Sequence, residues 1–585
     1  MNYRTRLRNV REDHDETQAA VGRILSKSQQ GYNHIENGRA ELSIEDLTVL
    51  CRHYDLSADY LIGLSDVVRS FEEKKPVADL SVRHVTAYLS LTASKMPTKT
   101  AYVDPARRIT FEELRQEAMH VAQTFANSGL RRAPIAIYMD KSIDLLSVIL
   151  GIAMSGNFYT VLDTTTPGAR IQKILDVFSP VLIVTTNSLF PQVSEFNTKI
   201  PCILFENMIT TPVDEHRLRA IERHIRPSDP LFVIFASNEN GRPKGTITTQ
   251  GALLHYISCW EEIFGLGPDD VLLSQVPFFF VMSLMDVFAP IVFGAETHIV
   301  PREYYSFPIM IMKYMEKNHI TTLNWASSAL TIFARMNAFT PQGLASLRKI
   351  FFGGENLPIR FLKVWQAHVP QAVFLNGYGT TELLDGATGY RINRPFEDND
   401  VLPIGRPFPH MNVFLLNDRD EEVLAPGIPG EICASGPSVS LGYYNDLEAT
   451  AAAFSQNPLN PYYEEKIFRT GDYARYNEYG ELEFLGRKDD QIKFLGHRIE
   501  LGEIEAASWT NGVVDLACIF DEPTSQIILC YTGSITPAKL GDFLKMQLPE
   551  YMLPRRRYKV SRIPRNPDGT PDREALAEMV RELMS

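Results

Sequence analysis

From about residue 79 onward, short β-rich apolar runs alternate with stretches whose apolar positions recur at helical spacing. The runs fall at 135–139, 181–185, 231–235, 271–276, 350–352 and 372–375. Such alternation predicts α/β architecture around parallel sheets. Residues 1 to about 66 differ: they read as short amphipathic helices with almost no strand signal. Between the two lies Phe71-Glu-Glu-Lys-Lys-Pro76, a charged stretch that reads as a linker. The pattern therefore predicts a multidomain chain: an all-α domain at 1–66, a linker at 67–78, a large α/β part at 79–487 and a small α+β part at 488–585.

Length agrees, since 585 residues suffice for three to four domains at roughly 150 residues each. With 44% hydrophobic and 22% charged residues the composition is that of a globular protein, which excludes a disordered, collagenous or rod-like chain. The formal net charge of −13 excludes a polybasic nucleic-acid coat, though not a small DNA-reading module. Six scattered cysteines without a C-x-x-C pair argue against a disulfide framework and a zinc site. The N-terminus carries Arg4, Arg6, Arg8 and Arg11 and lacks an apolar signal core. The most apolar stretch, 278–295, has Asp286 in its middle and reads as buried core, not as a membrane span. The expectation is a cytoplasmic protein without a membrane partner.

In the N-terminal part, Thr17 can cap a helix that turns Val21, Ile24 and Leu25 inward. Ser28 can cap a second helix with Tyr32 and Ile35 inward, and Asn37-Gly38 can stop it in a left-handed turn. Two short helices on a tight turn make a helix-turn-helix. The segment resembles the Cro/repressor-type helix-turn-helix family, without a gap, over about 60 residues. That resemblance implies double-stranded DNA as partner, with Gln29, Gln30 and His34 reading bases and Gln18 and Asn37 near phosphates. It also implies a dimer on two half-sites. Residues 1–40 hold 7 basic and 5 acidic residues, whereas residues 1–66 hold 8 and 11, so binding should be modest and salt-sensitive. A docking domain that never meets DNA is the alternative.

The large part carries motifs in a fixed order. Phe235-Ala-Ser-Asn-Glu-Asn-Gly241-Arg-Pro-Lys-Gly245 is followed by Asn376-Gly-Tyr-Gly-Thr-Thr-Glu382, then Gly430-Glu-Ile-Cys-Ala-Ser-Gly436 and Leu441-Gly-Tyr443. Arg469-Thr-Gly-Asp472, Gly486-Arg-Lys-Asp-Asp-Gln-Ile-Lys493 and Gly496-His-Arg-Ile-Glu-Leu-Gly-Glu-Ile-Glu505 complete the set. Together they resemble the adenylate-forming superfamily, and most of all amino-acid adenylation domains and D-alanine:carrier-protein ligases. The resemblance implies ATP or AMP and Mg²⁺ as cofactors. It also implies a small carboxylate or acyl-adenylate as ligand, and a separate carrier-protein or CoA thiol as acceptor.

Matched residue by residue, it implies that Tyr378 stacks on adenine, with Gly354 and Glu355 lining the same slot. Thr381 would contact the α-phosphate and Glu382 would hold Mg²⁺, a hard cation that prefers carboxylate oxygen. Asp472 would accept from the ribose hydroxyls, Arg487 would support the ribose, Asp489 would be the hinge, and Lys244 is the retained lysine of the phosphate loop.

Four departures fall on chemistry. The phosphate loop reads Ala236-Ser-Asn-Glu-Asn-Gly241, in place of the family's hydroxyl- and glycine-rich run. A like charge such as Glu239 about 4 Å from a phosphate oxygen costs on the order of 4 kcal/mol at an effective dielectric of 20. Asn238 lacks glycine's freedom where backbone must approach phosphate. Thr570 occupies the position of the family's catalytic lysine, a loss typically worth about 10²–10³ in rate, and neither Arg565 nor Arg573 clearly replaces it. Val281 stands where amino-acid-activating relatives place an aspartate, and an ammonium buried there would lose its partner at about 3–5 kcal/mol. An aryl or aliphatic acid fits better. Finally, no carrier domain is expected after Arg573, so the thiol acceptor is expected to be a separate molecule. The leading expectation is therefore a DNA-binding transcriptional regulator whose large part binds nucleotide or carboxylate with weakened or lost catalysis. The alternative is an active carboxylate–AMP ligase, and the third reading is a protein-binding scaffold.

Overall fold

The computed structural model describes residues 3–14, 16–54, 56, 58–62, 82–196, 199–236, 242–339, 344–398, 400–487, 491–522, 524–566 and 571–584. The chain divides into two compact units, Met1–Asp79 and Leu80–Ser585. The expected linker lies outside the described residues, as do Asn238, Glu239, Asp489 and Thr570.

The first unit consists of helices Tyr3–Asp13, Gln18–Ile24, Gln29–Glu36, Ile44–Tyr54 and Ala58–Ile62. The caps form as their residue types dictate: Thr17 accepts from the Ala20 amide and Ser28 from the Gly31 amide. Gly38, at φ +75°, takes the left-handed position after helix Gln29–Glu36. Val21, Leu25, Tyr32 and Ile35 meet Leu7, Val10, Leu50 and Leu61 in one core.

The second unit opens with two mixed sheets. One has six strands, with Pro134–Tyr138 between the parallel neighbours Leu182–Thr185 and Phe158–Leu162. Beyond Phe158–Leu162, Pro230–Ala236 turns back on Lys244–Thr249 as an antiparallel edge. The other has nine strands, of which Thr322–Ala326, Lys349–Gly353 and Val373–Tyr378 run parallel side by side. Every apolar run expected to be a strand is one. The 278–295 stretch holds helix Leu284–Phe293, buried along its whole length, and Asp286 is 0% exposed. No helix among the described residues is long and apolar enough to cross a membrane.

Downstream, Asn412–Leu416, Gly430–Ser435, Lys466–Tyr476, Phe454–Gln456 and Leu482–Arg487 form a five-stranded antiparallel sheet. After residue 490 the elements change character. A two-stranded hairpin, Gln491–Phe494 and His497–Glu500, leads into a three-stranded sheet flanked by Leu501–Ser508, Pro537–Lys545 and Arg573–Met584. Leu516, Cys518, Leu529, Leu540 and Leu544 are part of the core of this lobe. The large α/β part followed by a small α+β lobe is the predicted fold class.

Candidate functional site

The site forms at the carboxyl ends of the three neighbouring parallel strands, where open α/β sheets bind ligands. Gly353 ends one strand and Tyr378 ends the next, and the Thr381–Leu383 turn follows immediately. This turn depends on Gly379, because a Cβ there would lie 2.3 Å from the Asp385 carbonyl carbon. Leu384 and Asp385 follow with φ of 54° and 60°, a strained pair of non-glycine residues beside the site.

Two fully buried carboxylates anchor the slot. Asp472 lies in strand Lys466–Tyr476, opposite Arg487 on the next strand. Its Oδ2 accepts from the Tyr378 hydroxyl at 2.6 Å and its Oδ1 from Arg487 at 2.7 Å. A carboxylate offers about four acceptor positions, so two remain in principle for a ligand diol. Glu382 sits in the turn after Tyr378. Its Oε1 accepts from the Tyr443 hydroxyl at 2.8 Å, and Arg498 donates to both oxygens at 3.1 and 3.0 Å. Burial alone would raise the Glu382 pKa, but Arg498, Lys244 and the Tyr443 hydroxyl outweigh it and hold it at about 2.

The retained Lys244 begins the strand after the phosphate loop, and its ammonium lies 4.5 Å over the Tyr443 ring. Burial, helped by Arg498, lowers its pKa. The hydroxyls of Thr380 and Ser440 are buried nearby without a hydrogen-bond partner among the described residues. Polar groups left in this way are what a ligand or ordered water satisfies.

The hairpin of the small lobe reaches into this slot. Lys493 lies 5.4 Å over the Tyr378 ring and donates to the Gly379 carbonyl at 3.3 Å. The Gly496 amide donates to Glu355 at 2.6 Å, next to Gly354. Burial raises the Glu355 carboxyl, against that bond and the Lys493 charge. His497 stacks on Tyr551 at 3.6 Å and meets the edge of Phe280 at 4.5 Å, and burial lowers its pKa to about 4. Arg170 of the large part and Glu503 of the lobe form a buried ion pair. Of the expected residues, Gly354, Glu355, Tyr378, Thr381, Glu382, Asp472, Arg487 and Lys244 belong to this one region.

Arg498, Lys493, Tyr443 and Lys141 carry no role in the sequence reading. Arg498 and Lys493 lie inside quoted motifs and are direct cross-strand partners in the hairpin. Val281 opens the turn Val281–Ser283 beside Phe280. Asp286, the nearest acid in the chain, is fully buried and accepts from Asn324 at 3.3 Å, while the Lys141 ammonium donates to the Ser274 and Val276 carbonyls at 2.9 Å. Burial pushes the Asp286 carboxyl up and the Lys141 ammonium down, and each charge offsets that of the other.

Glu382 also decides how Mg²⁺ fits. Among the described residues no group of three or more His, Cys, Asp or Glu side chains stands ready for a metal. One ionised carboxylate is nonetheless a normal protein contribution to a Mg²⁺ site, with water and phosphate oxygens completing it. The residues fit the ion, and Glu382 would hold it.

In the first unit, Gln29, Gln30 and Asn37 are exposed and His34 is half-buried. Gln18 is engaged internally: it donates to Glu36 at 2.8 Å and accepts from Asn33 at 2.9 Å. Asn37 accepts from Arg8 at 3.0 Å. Glu36 is buried, and although burial opposes its charge, Arg11 at 2.6 Å and Gln18 keep its pKa low.

A family profile for AMP-binding enzymes matches residues 89–444, and one for a helix-turn-helix domain matches residues 3–61. The chain is 30% identical over 551 residues to bacitracin synthase 1 of Bacillus licheniformis, covering 92% of this chain and 10% of that protein. It is 30% identical over 497 residues to delta-poly-L-ornithine synthetase of Acinetobacter baumannii, covering 83% and 36% respectively. The chain thus spans less than half the length of these curated relatives. Its fold matches o-succinylbenzoate CoA synthetase (MenE) from Bacillus subtilis with a TM-score of 0.73 at 20% identity, over 84% of this chain and 98% of that one. It matches PA1221, an NRPS protein containing adenylation and PCP domains, with a TM-score of 0.72 at 22% identity, over 87% and 100%.

Proposed function

The chain belongs to the AMP-binding enzyme family, and from that premise we propose that it is a carboxylate–AMP ligase. In the proposed reaction, a carboxylate oxygen attacks the α-phosphorus of ATP, and the bond to pyrophosphate breaks. A separate thiol then attacks the acyl carbon, giving a thioester and AMP and releasing the thiol proton. The observation that carries the proposal is the convergence of Lys244, Tyr378, Glu382, Tyr443, Asp472 and Arg487, drawn from distant parts of the chain, on one slot with two buried carboxylates.

In this reading Asp472 and Arg487 hold the ribose, Tyr378 faces adenine beside Gly354 and Glu355, and Thr381 and Lys244 meet the phosphates. Glu382 holds Mg²⁺, which when bound supplies charge neutralisation on phosphate oxygens. The acid lacks an α-ammonium, because Val281 offers no counter-charge and burial pushes the Asp286 carboxyl up, disfavouring its charged form. Aryl or aliphatic acids are the first to test, with CoA and a carrier-protein thiol as acceptors. Glu239 and Thr570 make the adenylation half-reaction slow. Acid-dependent pyrophosphate release, abolished in Asp472→Ala, tests the proposal; none from a broad acid panel at high protein concentration would refute it.

The regulator reading takes second place, and the exposed Gln29 and Gln30 on a capped second helix favour it. In it, the first unit binds double-stranded DNA as a dimer and the second reports nucleotide, acyl-adenylate or carboxylate. Sequencing genomic fragments captured by the full chain at physiological salt tests it, and no enriched site would reduce the first unit to protein docking.

A further inference from the structure

We infer that Arg498 and a divalent cation are alternative occupants of Glu382, and that this exchange holds or releases the small lobe. The inference rests on the nucleotide-site reading above and adds a positioning residue to it. Arg498 takes both oxygens of Glu382, and Tyr443 takes a second position on Oε1. The Glu382 side chain is 0% exposed and that of Arg498 16%, so water does little to screen the pair. A hard cation needs those same oxygens stripped of a competing positive charge. With Arg498 in place the carboxylate is neutralised, and the cation gains those oxygens only as Arg498 leaves.

The arginine is tied to the lobe as a whole. It lies in strand His497–Glu500, paired to Gln491–Phe494. Its neighbour His497 is packed between Phe280 and Tyr551, and Glu503 of the following helix pairs with Arg170. The Gly496 amide and Lys493 make further contacts to Glu355 and Gly379. Withdrawing Arg498 from Glu382 therefore loosens a hairpin that is packed into the slot. Cation entry with the nucleotide would release the lobe, and cation departure would let Arg498 return it.

The test is hydrogen exchange of the backbone amides of residues 491–500 in the full chain. Without nucleotide, Arg498→Ala combined with Glu382→Gln removes both charges and avoids a buried unpaired ion. Its hairpin amides should exchange roughly tenfold or more faster than wild type, with Arg498→Lys between the two. Equal exchange in the double variant and wild type would overturn the proposal. With α,β-methylene-ATP, wild-type protection should fall when Mg²⁺ is added and return when EDTA removes it. Analogue that binds, by a raised melting temperature, yet leaves protection independent of Mg²⁺ would show that Arg498 swings aside alone, and would also overturn it. Failure of the analogue to bind would sink the ligase reading and the exchange with it, while the variant comparison still judges the ion pair.

Discussion

Replacing Asp472 separates the nucleotide reading from a purely structural one. Its carboxylate holds Arg487 at 2.7 Å and the Tyr378 hydroxyl at 2.6 Å, with the Asp472 side chain 0% exposed and that of Arg487 9% exposed. Asp472→Ala strands a buried guanidinium, which still has the Thr470 carbonyl at 3.0 Å. Removing one partner of a buried pair costs about 3–5 kcal/mol. Asp472→Asn keeps the shape and one acceptor oxygen, so it should cost less and remain folded.

Ligand binding adds the decisive arm. If Asp472 accepts from both ribose hydroxyls, 2′-deoxy-ATP loses one hydrogen bond to a charged group, worth about 1.5–3 kcal/mol. The wild-type chain should then bind ATP about 10- to 100-fold more tightly than 2′-deoxy-ATP. Asp472→Asn should shrink that ratio and Asp472→Ala should abolish it. Calorimetry at fixed Mg²⁺ reads all three. A wild-type protein indifferent to the 2′-hydroxyl, or a ratio that survives in Asp472→Ala, would refute the ribose assignment.

Glu382 gives a pH dependence with a defined sign. Its folded pKa of about 2 lies below the ordinary 4.5, so its contribution is present above pH 4.5 and lost as pH falls toward 2. Denaturant titrations should show wild type exceeding Glu382→Gln by a constant margin above pH 5, with the gap closing below 4.5. In the catalytic departures, Asn238→Gly with Glu239→Ser and Thr570→Lys should raise acid-dependent pyrophosphate release by roughly 10²–10³. No gain would place the obstacle elsewhere in the site. In the first unit, Gln30→Ala should weaken binding to a captured DNA site by about 1–3 kcal/mol without changing the salt slope. Unchanged affinity measured by fluorescence anisotropy would remove Gln30 from base reading.

Local chemistry was legible in the chain itself. Thr17 and Ser28 cap helices because a side-chain oxygen two or three residues before an orphan amide can reach it in any fold. The apolar runs become strands because short β-branched stretches bury best in a sheet. The ordered motifs from Lys244 to Arg487 pointed to one region, and folding brings Lys244, Tyr378, Asp472 and Arg487 together there from three different sheets.

What the sequence left open lies in pairs joined only by tertiary structure. Lys141 and Asp286 are 145 positions apart and no spacing rule links them, yet folding buries both and lets each charge offset that of the other. Arg498 meets Glu382 across 116 positions only because the small lobe packs into the slot. Gln18, expected near a phosphate, also bridges Glu36 and Asn33, a link that no spacing rule announces. Capping and strand formation act over a few residues and survive changes of context. Ion pairing depends on which charges the crossovers and the lobe bring within about 4 Å, and that distance is decided only when the chain folds.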